Sequence, residues 1–302
     1  TFENDTYYQN TITFSFDANG SNHGDNSQSE CEYCYINNGY FVHNITTRNS
    51  QFINGGSQYG GTVEYSNFTH PGYISFGSWK YNNVVEKGYG SYMGGGTWYY
   101  NNNLKSNLIN TLSQTYNYIG GYYEYNLVGF YVGSNQIREF ENVYIGTGSK
   151  DVLKEMNSDA FDGGSGIFKY NNAKLTPYSE AHGLVWKILV NGKDAQDEYN
   201  DMDPIGVGKH KFEVYFNRPI DTLYTPQVSM GVRNPYNQTI FTEDGSWSSD
   251  STIYTIYHSI DARAADGINF IRVQDARDTD GFIVPLERWR FNILIQAAGS
   301  LS

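Results

Sequence analysis

The sequence predicts an all-β chain in two parts: a parallel β solenoid over residues 1–176 and an antiparallel β-sandwich over residues 177–302. Three observations carry that expectation. A phrase of aromatic residues, asparagines and an apolar residue keeps returning through the first part. Composition then changes abruptly near Thr176–Pro177: residues 1–176 hold 21 of the 28 Tyr, 23 of the 32 Gly and one of the seven Pro. Beyond that point the strands alternate apolar and polar residues and are separated by polar turns.

The phrase reads Tyr65-Ser66-Asn67-Phe68, Trp79-Lys80-Tyr81-Asn82-Asn83-Val84 and Trp98-Tyr99-Tyr100-Asn101-Asn102-Asn103-Leu104, then Tyr125-Asn126-Leu127, Phe140-Glu141-Asn142-Val143 and Phe168-Lys169-Tyr170-Asn171-Asn172-Ala173. Asparagines 67, 83, 102, 126, 142 and 172 are 16, 19, 24, 16 and 30 residues apart. A period of about 20 residues predicts a coiled stack in which each turn buries its inner face on the next. Short strands are expected at 39–43, 62–65, 73–76 and 129–132, and a helical turn at 150–156. Asparagine tolerates left-handed backbone, and its amide can bond the same residue one rung away, so the recurring asparagines are expected to stack at equivalent turns. Phrase, Gly-rich turns and short strands together resemble a right-handed parallel β-helix, the solenoid of pectin-degrading enzymes and of many bacterial surface proteins.

In the second part, strands are expected at 184–190, 211–216, 252–257, 268–273 and 290–295, with turns at Asn191-Gly192, Asp244-Gly245, Asp266-Gly267 and Asp280-Gly281. Period-two strands with polar turns argue an antiparallel sandwich of immunoglobulin type. The run from Lys209 to Gln296 resembles bacterial immunoglobulin-like domains, which serve as repeated spacers in large secreted and surface-anchored proteins.

A net charge of −12 would repel phosphate backbones, so nucleic acid is not an expected partner. Apolar runs fall well short of the roughly 20 residues of a helical membrane span. Charged residues are only 17% of the chain and aromatic residues also 17%, a surface chemistry more typical of secreted proteins than of cytosolic enzymes. The chain starts at Thr1 and stops in mid-phrase at Ser302, and is expected to be a piece of something longer.

Cys31 and Cys34 form a C-x-x-C pair. This spacing suits a local disulfide, two buried thiols, half of a zinc site completed by His23 and His43, or a redox pair; the disulfide is the expectation, and no cofactor is expected. Asn157-Ser158-Asp159-Ala160-Phe161-Asp162-Gly163 resembles the catalytic strand of polygalacturonase-type glycoside hydrolases, which implies Asp159 and Asp162 as the carboxylates that protonate the leaving group and activate water. The paired aspartates that this family carries about one rung later have no counterpart: the 17 residues after Asp162 hold no Asp or Glu. Asp275, Asp278 and Asp280 alternate as calcium ligands can, and also as a turn does. Trp79, Tyr81, Trp98, Tyr99 and Tyr100 are the densest ring cluster and the candidate glycan-binding surface.

The expected function is a non-catalytic segment of a secreted or cell-surface protein, serving display, adhesion or surface assembly. Its expected partners are other modules of the parent chain, neighbouring surface proteins or polysaccharide. The alternatives are a carbohydrate-active β-helix enzyme and a glycan-binding module.

Overall fold

The computed structural model of the chain describes residues 6–7, 30–36, 41–85, 92–94, 96–104, 116–119, 122–124, 138–141, 144–145, 177–196 and 202–297. Those residues form a parallel β solenoid followed by an antiparallel β-sandwich, and among them there is no helix.

The solenoid has three faces. The first stacks Thr6–Tyr7, Glu30–Glu32, Thr46–Arg48, Thr62–Glu64, Ser78–Lys80, Thr97–Tyr99, Tyr116–Ile119 and Arg138–Glu141. The second stacks Tyr35–Ile36, Gln51–Ile53, Asn67–Thr69, Asn83–Val85, Asn102–Leu104, Tyr122–Glu124 and Tyr144–Ile145. The third stacks Phe41–His43, Ser57–Tyr59, Tyr73–Ser75 and Tyr92–Gly94. Every pairing is parallel, and Thr46, Thr62, Ser78 and Thr97 share one register position. The rung is therefore 16 residues long, widening to 19 between Ser78 and Thr97.

The repeating block turns from the first face to the second through a residue with positive φ: Tyr33, Asn49, Tyr65, Tyr81 and Tyr100, at 47–55°. The next residue carries the side chain that closes the turn. Cys34 N–H donates to Ser50 Oγ (3.0 Å), Ser50 N–H to Ser66 Oγ (3.1 Å), Ser66 N–H to Asn82 Oδ1 (2.8 Å) and Asn82 N–H to Asn101 Oδ1 (2.9 Å). Asn82 Nδ2 also donates to Val63 O, and Asn101 Nδ2 to Trp79 O, so these buried amides have partners on neighbouring rungs. At the turn from the third face to the first, Gly61 and Gly77 hold φ of 75° and 79°, and a Cβ on either would press into the carbonyl of the rung below.

A second asparagine column opens the strands of the second face. Asn83 Nδ2 donates to Asn67 Oδ1 (2.8 Å) and Asn102 Nδ2 to Asn83 Oδ1 (3.0 Å). Asn67, Asn83 and Asn102 thus stack as expected, although at strand starts. The following rung corrects the expected series, because register pairs Asn102 with Tyr122 rather than with Asn126. Asn126, Asn142 and Asn172, the strand at 129–132 and the helical turn at 150–156 lie outside the described residues.

Like stacks on like inside the coil as well. Phe52 lies on Phe68 (ring centroids 4.2 Å) and Trp79 on Trp98 (4.9 Å, planes 7° apart), all four fully buried. Loss of one such indole costs about 3–5 kcal/mol.

The sandwich is built from two antiparallel sheets. One orders Lys193–Asp194, Val185–Val190, Gly208–Phe216, Ile253–Ile260 and Ser246–Trp247; the other orders Thr239–Ile240, Gln227–Gly231, Gly267–Gln274 and Asn292–Ile295. Phe212, Val214 and Phe216 alternate inward from one sheet and meet Val228, Met230, Ile271, Val273 and Ile293 of the other in a single core. Asn191 and Gly192 both have positive φ (52° and 82°), as a two-residue hairpin turn requires. The strand Gln227–Gly231 was not expected, since its only large apolar residues are Val228 and Met230. The chain divides into two compact units, Thr1–His182 and Gly183–Ser302.

Candidate functional site

Parallel register converts sequence repeats into columns on the outside of the solenoid. On the first face, Glu32, Arg48, Glu64, Lys80 and Tyr99 share one column. Arg48 Nε lies 3.1 Å from Glu64 Oε2, Lys80 Nζ 3.0 Å from Glu64 Oε1, and Arg48 Nη1 3.2 Å from Glu30 Oε1. Burial alone would raise the Glu64 pKa; hydrogen bonds from Lys80 and Arg48 outweigh it and hold the carboxyl below its ordinary value. A column of hydroxyls, Thr46, Thr62, Ser78 and Thr97, runs beside it.

The turn column carries the tyrosines. Tyr65 stacks on Tyr81 (5.2 Å, 11°), and Tyr81 on Tyr100 (5.6 Å, 8°). A left-handed tyrosine is strained by about 1–2 kcal/mol, and a stacked ring pair returns about 0.5–1.5 kcal/mol. Tyr178 meets Tyr100 edge-on at 4.9 Å. Tyr178 belongs to a segment that follows the asparagine column: Tyr178 N–H donates to Asn102 Oδ1 (2.8 Å), Asn102 Nδ2 to Tyr178 O (3.1 Å), and Asn83 Nδ2 to His182 O (2.7 Å). Residues 178–182 thereby satisfy the outward amide protons of Asn83 and Asn102. Sequence reading missed this strap because nothing in Tyr178–His182 repeats the solenoid phrase.

The candidate glycan surface separates into inside and outside. Trp79 and Trp98 occupy the inward column of the first face and are 0% exposed, so neither offers a ring to a ligand. Tyr81 has a ring against each of its faces, Tyr65 on one side and Tyr100 on the other. Tyr99 stands outward at the end of the charged column and is half-buried. Cys31 lies in the inward column, Cys34 in the turn column, and their sulfurs are bonded with Cα atoms 6.0 Å apart; both are buried. Asp159 and Asp162 lie outside the described residues.

In the sandwich, Asp278 is fully buried and organises a turn: it accepts N–H groups of Asp280 (3.0 Å), Phe282 (2.9 Å) and Gly183 (3.0 Å). Arg218 pairs with Asp280 at 2.8 Å. Asp275 has φ of 68°, a turn geometry. Glu287 and Arg290, each 1% exposed, form a buried pair at 2.7 Å, and Arg290 also donates to Val185 O. His258 stacks on Phe241 (4.0 Å) and lies 3.0 Å from Glu243. Asp278, Asp280, Glu287, Arg290 and His258 each have a partner in the fold. No protein-family model, curated protein or solved structure matches the chain.

Proposed function

We propose that the chain is a non-catalytic segment of a secreted or cell-surface protein, a solenoid for display or adhesion joined to an immunoglobulin-like spacer. The observation that supports this reading is the state of the outward columns. Glu64 is held between Arg48 and Lys80, Tyr81 between Tyr65 and Tyr100, and Asn83 and Asn102 beneath residues 178–182. Hydrolysis at a glycosidic bond needs two carboxylates that converge on substrate and exchange protons with it. The charged column instead alternates sign and holds Glu64 between cations on the rungs to either side of it, while Glu32 accepts from the Asn49 amide. Such a surface suits a rigid element whose length is set by the number of rungs.

The test is to incubate the full chain with a panel of neutral and acidic polysaccharides and to assay reducing ends and unsaturated products. No product is expected. Product that disappears in Asp159→Asn or Asp162→Asn would replace the display reading with the hydrolase one.

A further inference from the structure

Two arginines stand side by side on the outer face of the second sandwich sheet. Val273 and Glu287 form an antiparallel bridge, with Val273 N–H donating to Glu287 O (2.8 Å) and Glu287 N–H to Val273 O (3.0 Å). Both residues are buried, so the alternation of extended chain turns their neighbours Arg272 and Arg288 outward and sets them across from each other. Among the described residues neither guanidinium has an ion pair, in a chain of net charge −12. Arg272 Nε is buried without a hydrogen-bond partner.

Like charges directly opposed across strands are destabilising. The Arg272 pKa is lowered, by burial first and then by the charge of Arg288, with Asp275 opposing. Beside the pair lies an aromatic cluster. Tyr236, buried, packs 4.9 Å from Phe270 and 5.0 Å from Trp289, and Phe270 and Trp289 are 6.3 Å apart. Phe270 precedes Arg272 by two residues and so shares its face, while the Arg288 guanidinium sits 5.2 Å over the Trp289 ring. Phe270 and Trp289 are only half-buried.

We propose that Arg272 and Arg288, walled by Phe270 and Trp289, bind the carboxylate of an acidic sugar residue of the uronic acid type. A guanidinium fork matches a carboxylate bidentately, and an anion between two arginines converts their repulsion into attraction. The aromatic wall selects the ligand further. A bare inorganic anion has no use for it, whereas a pyranose ring presents an apolar face alongside its carboxylate. Tyr, Trp and Arg grouped in one partly desolvated patch are the residues that carry most binding energy at recognition surfaces. A destabilising pair kept on an otherwise satisfied sheet is what a binding site, rather than a scaffold, would retain. This site goes beyond the display role and does not depend on it.

The test uses the full chain in calorimetric titrations with a short oligogalacturonate, a neutral gluco-oligosaccharide of equal length, and inorganic phosphate. The oligouronate is expected to bind at least tenfold more tightly than either control. Arg272→Gln and Arg288→Gln should each weaken it tenfold or more. Each variant should also raise the ligand-free Tm, because it removes the repulsion. No binding by the parent protein, equal binding of a control, or unchanged affinity in both variants overturns the proposal. A lower ligand-free Tm in both variants would show a structural pair and overturn it as well.

Discussion

The two units bury polar groups by opposite rules. In the solenoid a buried turn N–H is satisfied one rung away by a side chain at its own register position, as at Ser50, Ser66 and Asn82. In the sandwich a buried polar group is satisfied by an unlike group elsewhere in the fold: Asp278 takes the N–H of Gly183, and Arg290 reaches Val185 O. The first rule needs only nearest neighbours and can be extended by repetition. The second couples distant strands, so one lost partner is felt through the whole core.

The largest expected effect tests the second rule. Glu287→Ala leaves the Arg290 guanidinium, 1% exposed, without its counter-charge. Removing one partner of a buried pair costs about 3–5 kcal/mol. Hydrogen exchange should show protection falling across Val185–Val190, Gly208–Phe216 and Gly267–Gln274 together, with the solenoid strands unchanged. A loss below about 1 kcal/mol would mean that the pair is not what couples those strands.

A smaller and more local effect is expected in the ladder. Asn82→Leu strands the Ser66 N–H and Val63 O, both inside the coil, at a cost of about 2–3 kcal/mol. Asn82→Ser should recover part of it, because serine accepts the same turn N–H at positions 50 and 66. Exchange should quicken at Ser66 and in the adjacent rungs but not in Gly208–Phe216. Uniform quickening over both units would erase the contrast between them.

The legible parts of the sequence follow the same division. The repeat of Trp79 and Trp98, with asparagines at 82–83 and 101–103, announced parallel stacking, since residues 16 or 19 apart must share a column if the coil closes. What the repeat did not reveal was facing. Trp79 and Tyr81 look alike as ligand platforms in the sequence, but only Lys80 lies between them and Tyr81 itself is left-handed, so one ends inside and the other outside. In the sandwich, alternation located the strands with dense apolar residues, and Gln227–Gly231 was missed because its outward positions are Gln227, Ser229 and Gly231. Nor could the sequence pair Arg272 with Arg288. That needs the register of Val273 with Glu287, which is a tertiary fact.

Acid offers the gentlest way to separate the units. Burial would raise the Glu243 pKa, but hydrogen bonds from His258 and the Ser259 N–H more than offset it and bring it to about 2. A carboxyl with a depressed folded pKa contributes stability that is fully present above its unfolded value of 4.5 and is lost as pH falls through about 2. Glu243 is a third exposed, so solvent screening limits the loss to about 1 kcal/mol. Glu64 in the solenoid is shifted in the same direction, yet its partners Arg48 and Lys80 are surface cations, and the contribution there is about 0.5 kcal/mol. Unfolding followed between pH 6 and pH 2 should therefore show the sandwich weakening more steeply than the solenoid. In Glu243→Gln the sandwich slope should flatten while the solenoid slope stays. If the variant keeps the parent slope, the acid sensitivity belongs to another carboxylate, and the His258–Glu243 pair adds nothing to the coupling that distinguishes the sandwich from the ladder.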